Sequence, residues 1–241
     1  MFLNVSKCNV ITFSKKKSII DSEYCIENEP LKRVTTINDL GIMMDMKVNF
    51  NNHIDIMTNN CHRTLAFIKR RAKEFSDPYV TKTLYCSLVR SKIEYVSVVW
   101  NMVGTVNSAK IESVQKQFLL FALRNLGWST NTFVLPAYES RLKLLNMETL
   151  EARRKNNDIL FAYDLIKKRI KCNELCSKII FNEPAPQNLR RRRLLHVDLR
   201  RRDYTCLEPL NRVATRFNEI SHLFDEDITR KSFLKKLRNQ I

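Results

Sequence analysis

Glycine is scarce in this chain, and the scarcity limits which folds and sites it can build. Only three of the 241 residues are glycine: Gly41, Gly104 and Gly127. Phosphate-binding loops and dinucleotide-binding turns need clustered glycines, because the backbone must approach the phosphate closely. Three isolated glycines exclude both kinds of site, and they also argue against a turn-rich all-β fold.

The apolar pattern changes near residue 50. Short β-prone runs at 10–13 and 24–26 precede a turn signal at 27–30, which is hairpin spacing. From about residue 52 the apolar residues instead recur at steps of three and four, as on one face of a helix: Ile54, Met57, Cys61, Leu65 and Ile68. We therefore predict an α+β, mainly α fold, with short antiparallel hairpins followed by a helical body.

Helix signals continue to the end of the chain. Asp77 and Pro78 predict the start of a second helix. Its apolar stripe is assigned to four residues: Val80, Leu84, Leu88 and Tyr95. Residues 107–127 predict a third helix, 147–170 one long helix, and 210–220 and 233–241 two more. The stretch 182–209 holds three of the six prolines and an arginine block, so we predict it to be largely irregular.

Positive charge is the second strong constraint. Lys and Arg number 42 against 25 Asp and Glu, a net charge of +17. Segment 63–92 has eight basic and two acidic residues, a net of +6, and segment 190–203 has seven arginines and two aspartates, a net of +5. One such cluster often forms only a solvated face, and the arginine block could serve in nuclear import. Together they favour a polyanionic partner, and nucleic acid above all.

Catalytic and metal-binding patterns are weak. Nucleotidyl transfer needs paired carboxylates for metal ions, whereas the densest acidic run, 225–227, is better explained as a solvated loop or helix cap. Cys172, Cys176, His196 and Cys206 form a poorly spaced zinc set. Burial on one helix face explains the first two cysteines equally well. We predict no metal and see no evident small-molecule substrate.

The seven cysteines are odd in number and scattered, and no secretory signal is recognisable. No run of about 18 apolar residues occurs. We therefore expect reduced thiols, no membrane partner, and an intracellular location in the nucleus or cytoplasm.

An ordered series of short motifs runs through most of the chain. Residues 3–13 read LNVSKCNVITF, and residues 39–42 read DLGI. Residues 75–100 follow with FSDP, KTLYCSLVRS, EY and VW, and related stretches lie at 111–118 and 136–154. The series resembles the C-terminal part of reverse transcriptases from jockey-like non-LTR retrotransposons, from the end of the palm through the primer grip and thumb.

The resemblance implies a three-part organisation. Residues 1–50 would be a palm remnant with the primer-grip hairpin, 51–130 a thumb-like helical bundle, and 131–241 a basic, mostly helical C-terminal region. The catalytic aspartates of the family would precede residue 1. The chain is therefore expected to be a truncated RNA-directed DNA polymerase fragment, inactive alone and without a cofactor. Mg²⁺ is expected only for the complete family enzyme.

Site residues follow from the same resemblance. Lys7 falls on the lysine of the fourth palm motif, a proposed general acid in the complete enzyme, and no other catalytic residue is assigned. Leu40 and Gly41 fall in the primer grip. RNA or DNA would be held without sequence specificity, through its backbone, by the primer grip and these basic residues: Lys69, Arg70, Arg71, Lys73, Lys82, Arg90, Arg190, Arg191, Arg192, Arg193, Arg200, Arg201 and Arg202.

Two other interpretations stay open at the sequence level. The chain could be part of an active reverse transcriptase whose N-terminal portion is missing from this sequence. It could also be an unrelated basic helical adaptor that binds acidic proteins or lipid. A salt-independent interaction would favour the adaptor, because phosphate contacts weaken steeply with salt.

Overall fold

The computed structural model of the chain describes residues 4–14, 22–72, 77–125, 136–182, 193–197, 208–225 and 227–238. The chain divides into two compact units, residues 1–60 and residues 61–241. The boundary falls inside the first long helix. The three-part division predicted from sequence stays a prediction.

The described residues of the first unit form six short strands. Their bounds are β1 Asn9–Val10, β2 Cys25–Ile26, β3 Glu29–Pro30, β4 Lys32–Arg33, β5 Thr36–Asp39 and β6 Ile42–Asp45, preceded by a 3₁₀ turn at Val5–Lys7. β2 and β3 form one antiparallel hairpin, and β5 and β6 form another. β1 and β4 pair in parallel, which the prediction of antiparallel hairpins alone did not include.

Both hairpins close through two-residue loops with left-handed backbone at each position. Glu27 and Asn28 have φ of 52° and 65°, and Leu40 and Gly41 have φ of 48° and 87°. Positive φ at both loop residues is the type I′ geometry, whose twist matches that of the flanking strands. The predicted N-terminal hairpins are therefore confirmed, and the Leu-Gly pair forms the tip of the second.

Helices dominate the rest of the chain. Their bounds are α1 Asn51–Arg71, α2 Pro78–Tyr85, α3 Ser91–Glu94, α4 Ser97–Trp100, α5 Thr105–Asn125, α6 Tyr138–Leu144, α7 Leu150–Ile166, α8 Asn173–Ser177, α9 Pro209–Glu219 and α10 Arg230–Arg238. The predicted mainly α, α+β fold is confirmed. The apolar face predicted for α1 is buried throughout, from Ile54 to Ile68. Among the described helices, none is both long and apolar enough to cross a membrane.

The second helix begins as predicted but turns a different face to the core. The Asp77 carboxylate caps α2 by accepting from the backbone N–H of Tyr79 at 2.8 Å. The predicted apolar stripe was wrong: Val80, Leu88 and Tyr95 are exposed. The buried residues are Thr81, Tyr85 and Val89, each one position after a residue of the predicted stripe, and Ile93.

The contacts of Tyr85 explain this shift of one residue. Its ring stacks on Phe118 at 4.1 Å between centroids and its hydroxyl donates to Gln115 Oε1 at 3.2 Å. A π-helical stretch, Cys86–Arg90, joins α2 to α3. Its wider turn keeps Tyr85, Val89 and Ile93, which are spaced by four, on one face.

The predicted long helix over 147–170 is shorter at both ends. Thr149 caps α7 by accepting from the backbone N–H of Ala152 at 3.0 Å. The helix ends before Lys168, which has φ of 50°. Leu195, within the stretch predicted to be irregular, forms an isolated antiparallel bridge with Phe181, which lies just before that stretch. Residues 183–192 and 198–207 lie outside the described residues.

The C-terminal helices pack on α7 around aromatic side chains. Tyr163 of α7 stacks on Phe233 of α10 at 4.8 Å between centroids, and Phe224 meets Phe217 of α9 edge to face at 5.4 Å. Phe217 and Phe233 are completely buried. Edge-to-face and offset stacks add to the free energy of burial. This aromatic cluster fixes α9 and α10 against α7.

Candidate nucleic-acid interface

The last turns of α1 and α5 bring together positive charges, which we call the cationic cluster: Lys69, Arg70, Arg71 and Arg124. The arginines are exposed, and Lys69 is half-buried. Burial, and secondly the positive charge of Arg124, lowers the pKa of Lys69. Lys69 and Arg124 are therefore close enough to repel each other. Arg124 was not among the predicted site residues.

The cationic cluster has no acidic partner among the residues that the structure describes. The carbonyl ends of α1 and α5 carry partial negative charge, which stabilises nearby cations to a limited extent. This effect falls off within one turn. An external anion such as a phosphate is thus the natural counter-charge for these side chains.

Two of the predicted contact residues bind the protein itself. Lys82 Nζ donates to the carbonyl oxygens of Leu145 at 2.6 Å and Asn146 at 3.2 Å, at the end of α6. Arg90 Nε lies 3.5 Å from Glu94 Oε1 in an ion pair along the helix. Both side chains therefore have structural partners. Their role in nucleic-acid binding stays a prediction.

Several residues that carry the sequence resemblance join the helices of residues 61–241. The Arg153 guanidinium of α7 pairs with both carboxylate oxygens of Glu94 in α3, with Nη2 to Oε2 at 3.1 Å. Gln115 Nε2 donates to Tyr138 Oη at 3.2 Å and to the Glu148 carbonyl at 2.8 Å. Side chains that stand out as motif residues in the sequence thus hold the helices together.

The arginine block lies almost entirely beyond what the structure describes. Six arginines of the block lie outside the described residues: Arg190, Arg191, Arg192, Arg200, Arg201 and Arg202. The predicted contact residue Lys73, elsewhere in the chain, also lies outside them. Arg193 is described and exposed, and its main-chain carbonyl accepts from Asn182 Nδ2 at 2.8 Å. Of the arginine block, the structure therefore describes Arg193 alone, which lies next to the Phe181–Leu195 bridge.

The first unit carries the remaining predicted site residues. Leu40 is 84% exposed at the tip of the β5–β6 hairpin. Gly41 beside it has the positive φ that an L-residue rarely adopts. Lys7 is exposed at the end of the 3₁₀ turn Val5–Lys7. Such positions leave all three residues open to solvent, and their assigned roles stay predictions.

Metal-binding geometry is not seen among the described residues. No three or more His, Cys, Asp or Glu side chains in that part of the chain are grouped to hold an ion. Cys172 and Cys176 are half-buried, and Cys176 Sγ lies 3.6 Å from the Ile170 carbonyl oxygen. Cys206, the last residue of the zinc set, is outside the described residues.

No protein-family model, no curated protein and no solved structure matches the chain. The resemblance to reverse transcriptases therefore rests on the ordered motifs of the sequence alone.

Proposed function

We propose that this chain binds RNA or DNA without sequence specificity, as a C-terminal fragment of a reverse transcriptase from a non-LTR retrotransposon. The cationic cluster is the observation that carries the proposal. Exposed cations without acidic partners in the described residues, on a chain of net charge +17, are the electrostatic features that a phosphate backbone recognises.

Polymerisation is not part of the proposed activity of this chain alone. The motif series resembles the region that follows the catalytic aspartates. We therefore expect no template-directed nucleotide incorporation by the purified chain with any divalent metal ion. Incorporation above background would contradict this. The scattered, odd-numbered cysteines favour reduced thiols, and on that ground we propose an intracellular location, in the nucleus or the cytoplasm.

The binding surface can be tested with two variants that each remove three positive charges. K69A/R70A/R71A removes the described α1 part of the cationic cluster. K231A/K235A/K236A removes three lysines, all of them exposed, from α10. Affinity for a duplex of arbitrary sequence would be measured by fluorescence anisotropy across a salt series.

We expect the α1 variant to bind more weakly to every sequence. The slope of log affinity against log salt should become shallower by about 0.9 for each phosphate that the variant no longer neutralises. The α10 variant should keep the slope of the unchanged chain. Equal effects of the two variants would show that total charge alone matters. Salt-independent binding would overturn the proposal in favour of an adaptor that binds through other contacts.

A further inference from the structure

A pocket of about 360 Å³ lies within residues 61–241, and its lining includes none of the cationic cluster residues. One face of α5 lines it with Ser108, Glu112 and Lys116, the first two turns of α7 line it with Glu151 and Arg154, and α9 contributes Arg216. Small-molecule sites usually have volumes of about 300–1,000 Å³. The pocket is therefore large enough for a ligand of modest size.

Arg154 is the most unusual residue of the pocket. Its side chain is almost completely buried, with an exposed fraction of 2%. Nε donates to Asn101 Oδ1 at 3.1 Å and Nη2 donates to Ser108 Oγ at 3.3 Å, while Nη1 has no partner among the described residues. Both partners are neutral. A buried guanidinium with an unused donor is destabilising unless an anion completes its contacts.

Two further cations line the same pocket. Arg216 is partly buried, with Nη1 bound to Asp158, and Lys116 is exposed, with its ammonium 5.2 Å from the centre of the Tyr138 ring. Burial lowers the pKa of Arg154, the nearby carboxylates of Glu112, Glu151 and Asp158 raise it, and the charge of Arg216 lowers it. Lys116, Arg154 and Arg216 thus line one pocket.

Two acidic residues of the lining, Glu112 and the exposed Glu151, balance part of this charge. Glu112 Oε1 accepts from the Tyr138 hydroxyl and from the Leu150 backbone N–H, but Glu112 Oε2 is buried without a partner among the described residues. A bare anion would be repelled by that oxygen. A ligand that carries hydroxyl or amino donors close to its anionic group would satisfy Glu112 and Arg154 together.

We propose that this pocket binds a phosphomonoester with hydrogen-bond donors next to the phosphate, the chemistry of a mononucleotide unit. The phosphate would accept from Arg154 Nη1, Lys116 and Arg216, and a sugar hydroxyl or base amino group would donate to Glu112 Oε2. Such a unit is found in free nucleotides and at the 5′-phosphorylated end of a nucleic-acid strand.

Calorimetric titration of the full chain tests the proposal with adenosine 5′-monophosphate, adenosine and inorganic phosphate as probes. The monophosphate should bind at one site. Adenosine lacks the phosphate and inorganic phosphate lacks the neighbouring donors. Each should therefore bind at least about tenfold more weakly, the size of one charge-assisted contact. No binding of the monophosphate at millimolar concentration, or equal binding of inorganic phosphate, would overturn the proposal.

Two variants locate the site. Lys116→Ala removes an exposed lysine and should weaken monophosphate binding about tenfold, whereas Lys143→Ala, an exposed lysine outside the pocket, should not. Arg154→Met removes the buried charge while filling its volume. It should abolish monophosphate binding. Unchanged affinity in Lys116→Ala would contradict the assignment even if Arg154→Met failed to fold.

The two sources of the phosphate are distinguished with a short oligonucleotide, with and without a 5′-phosphate. The titration uses the K69A/R70A/R71A background, which weakens backbone binding by the cationic cluster. A preference for the phosphorylated strand that Lys116→Ala removes would assign the pocket to strand ends; binding of the monophosphate alone would assign it to free nucleotides. The pocket and the cationic cluster are tested by different variants, so either proposal can fail without the other.

Discussion

Arg212 Nε in α9 donates to Asp158 Oδ2 in α7 at 3.0 Å, and the Asp158 side chain is completely buried. The same oxygen accepts from Arg216 and, at 3.2 Å, from Asn101 Nδ2. One carboxylate therefore joins α9 and the segment after α4 to α7. Two guanidinium groups share it, so the local charge is positive.

Replacing Asp158 with Ala should destabilise the fold strongly. The change leaves the buried Arg212 and the partly buried Arg216 without their counter-charge. Breaking a buried pair from one side costs about 3–5 kcal/mol of unfolding free energy. Urea denaturation followed by circular dichroism measures this loss.

The matched control is an ion pair that joins the same two helices at the surface. Lys155 and Glu219 pair at 2.6 Å, with both side chains about half exposed. Glu219→Ala should cost less than about 1 kcal/mol, because exposed ion pairs are solvated and screened. Equal losses for the two variants would show that Asp158 is not the main electrostatic link between α7 and α9.

Lys82→Ala should lower stability more than it lowers affinity for nucleic acid. Its ammonium binds two carbonyl oxygens at the end of α6, and removing charge-assisted hydrogen bonds costs about 1.5–3 kcal/mol. Lys143→Ala, at an exposed position of α6, serves as the stability control. Weaker duplex binding at unchanged urea midpoint would assign Lys82 to the nucleic-acid surface instead.

Acid should loosen the first unit through His53. Burial lowers the pKa of His53, and its Nδ1 accepts from the backbone N–H of Met43 at 3.4 Å. A depressed histidine pKa adds stability above the unfolded value of about 6.5, and this stability is lost as pH falls through the folded value. Amide exchange at Met43, corrected for its intrinsic rate, should therefore accelerate as the pH falls below about 6.5. His53→Gln keeps an acceptor without titrating, and an equally steep acceleration there would contradict the role of His53.

Raising the pH should lower the stability of the second unit through Cys61. Burial raises the pKa of its thiol to about 11 from 9.0. Between these values the unfolded chain releases a proton that the folded chain keeps, so stability falls as pH rises. In a urea series across that pH range, Cys61→Ala should show a shallower fall than the unchanged chain.

Thiol labelling provides an independent measurement. Cys25 is exposed and should react quickly with a disulfide reagent near pH 8, because a thiolate must be both formed and accessible. Cys61 has no exposed surface and should react only at the rate of unfolding. Fast labelling of Cys61 in the folded chain would contradict its buried placement in α1.

Regular elements could be predicted from sequence wherever local pattern and burial agree. The face of α1 and the Leu40-Gly41 hairpin are of this kind, because a single period and a single glycine indicate them. The face of α2 was missed because two stripes with four-residue spacing run side by side. The aliphatic stripe, at Val80 and Leu88, looked more apolar, but the stripe with Tyr85 is buried because Gln115 satisfies its hydroxyl.

Sequence alone could not predict which charged residues bind other parts of the protein and which do not. Lys69 and Lys82 look alike in the sequence, yet one lies near another cation and the other binds carbonyl oxygens. The one useful signal was position: Arg212 and Arg216 lie four residues apart, beside the buried Val213 and Phe217. Charges on the apolar stripe of an amphipathic helix indicate a buried partner, which here is Asp158.

The π-helical stretch at Cys86–Arg90 contains one residue more than an α-helical stretch of the same rotation. Its hydrogen bonds reach one residue further along the chain than those of an α-helix. The wider turn confines the extra residue to this stretch, so Ile93 keeps the same buried face as Tyr85. Deleting one residue here would restore ordinary α geometry with little rotation of α3, whereas deleting one residue within α2 would rotate the residues on either side by about 100° relative to each other. Natural length variants of this protein should therefore lose a residue more readily in this stretch than within α2.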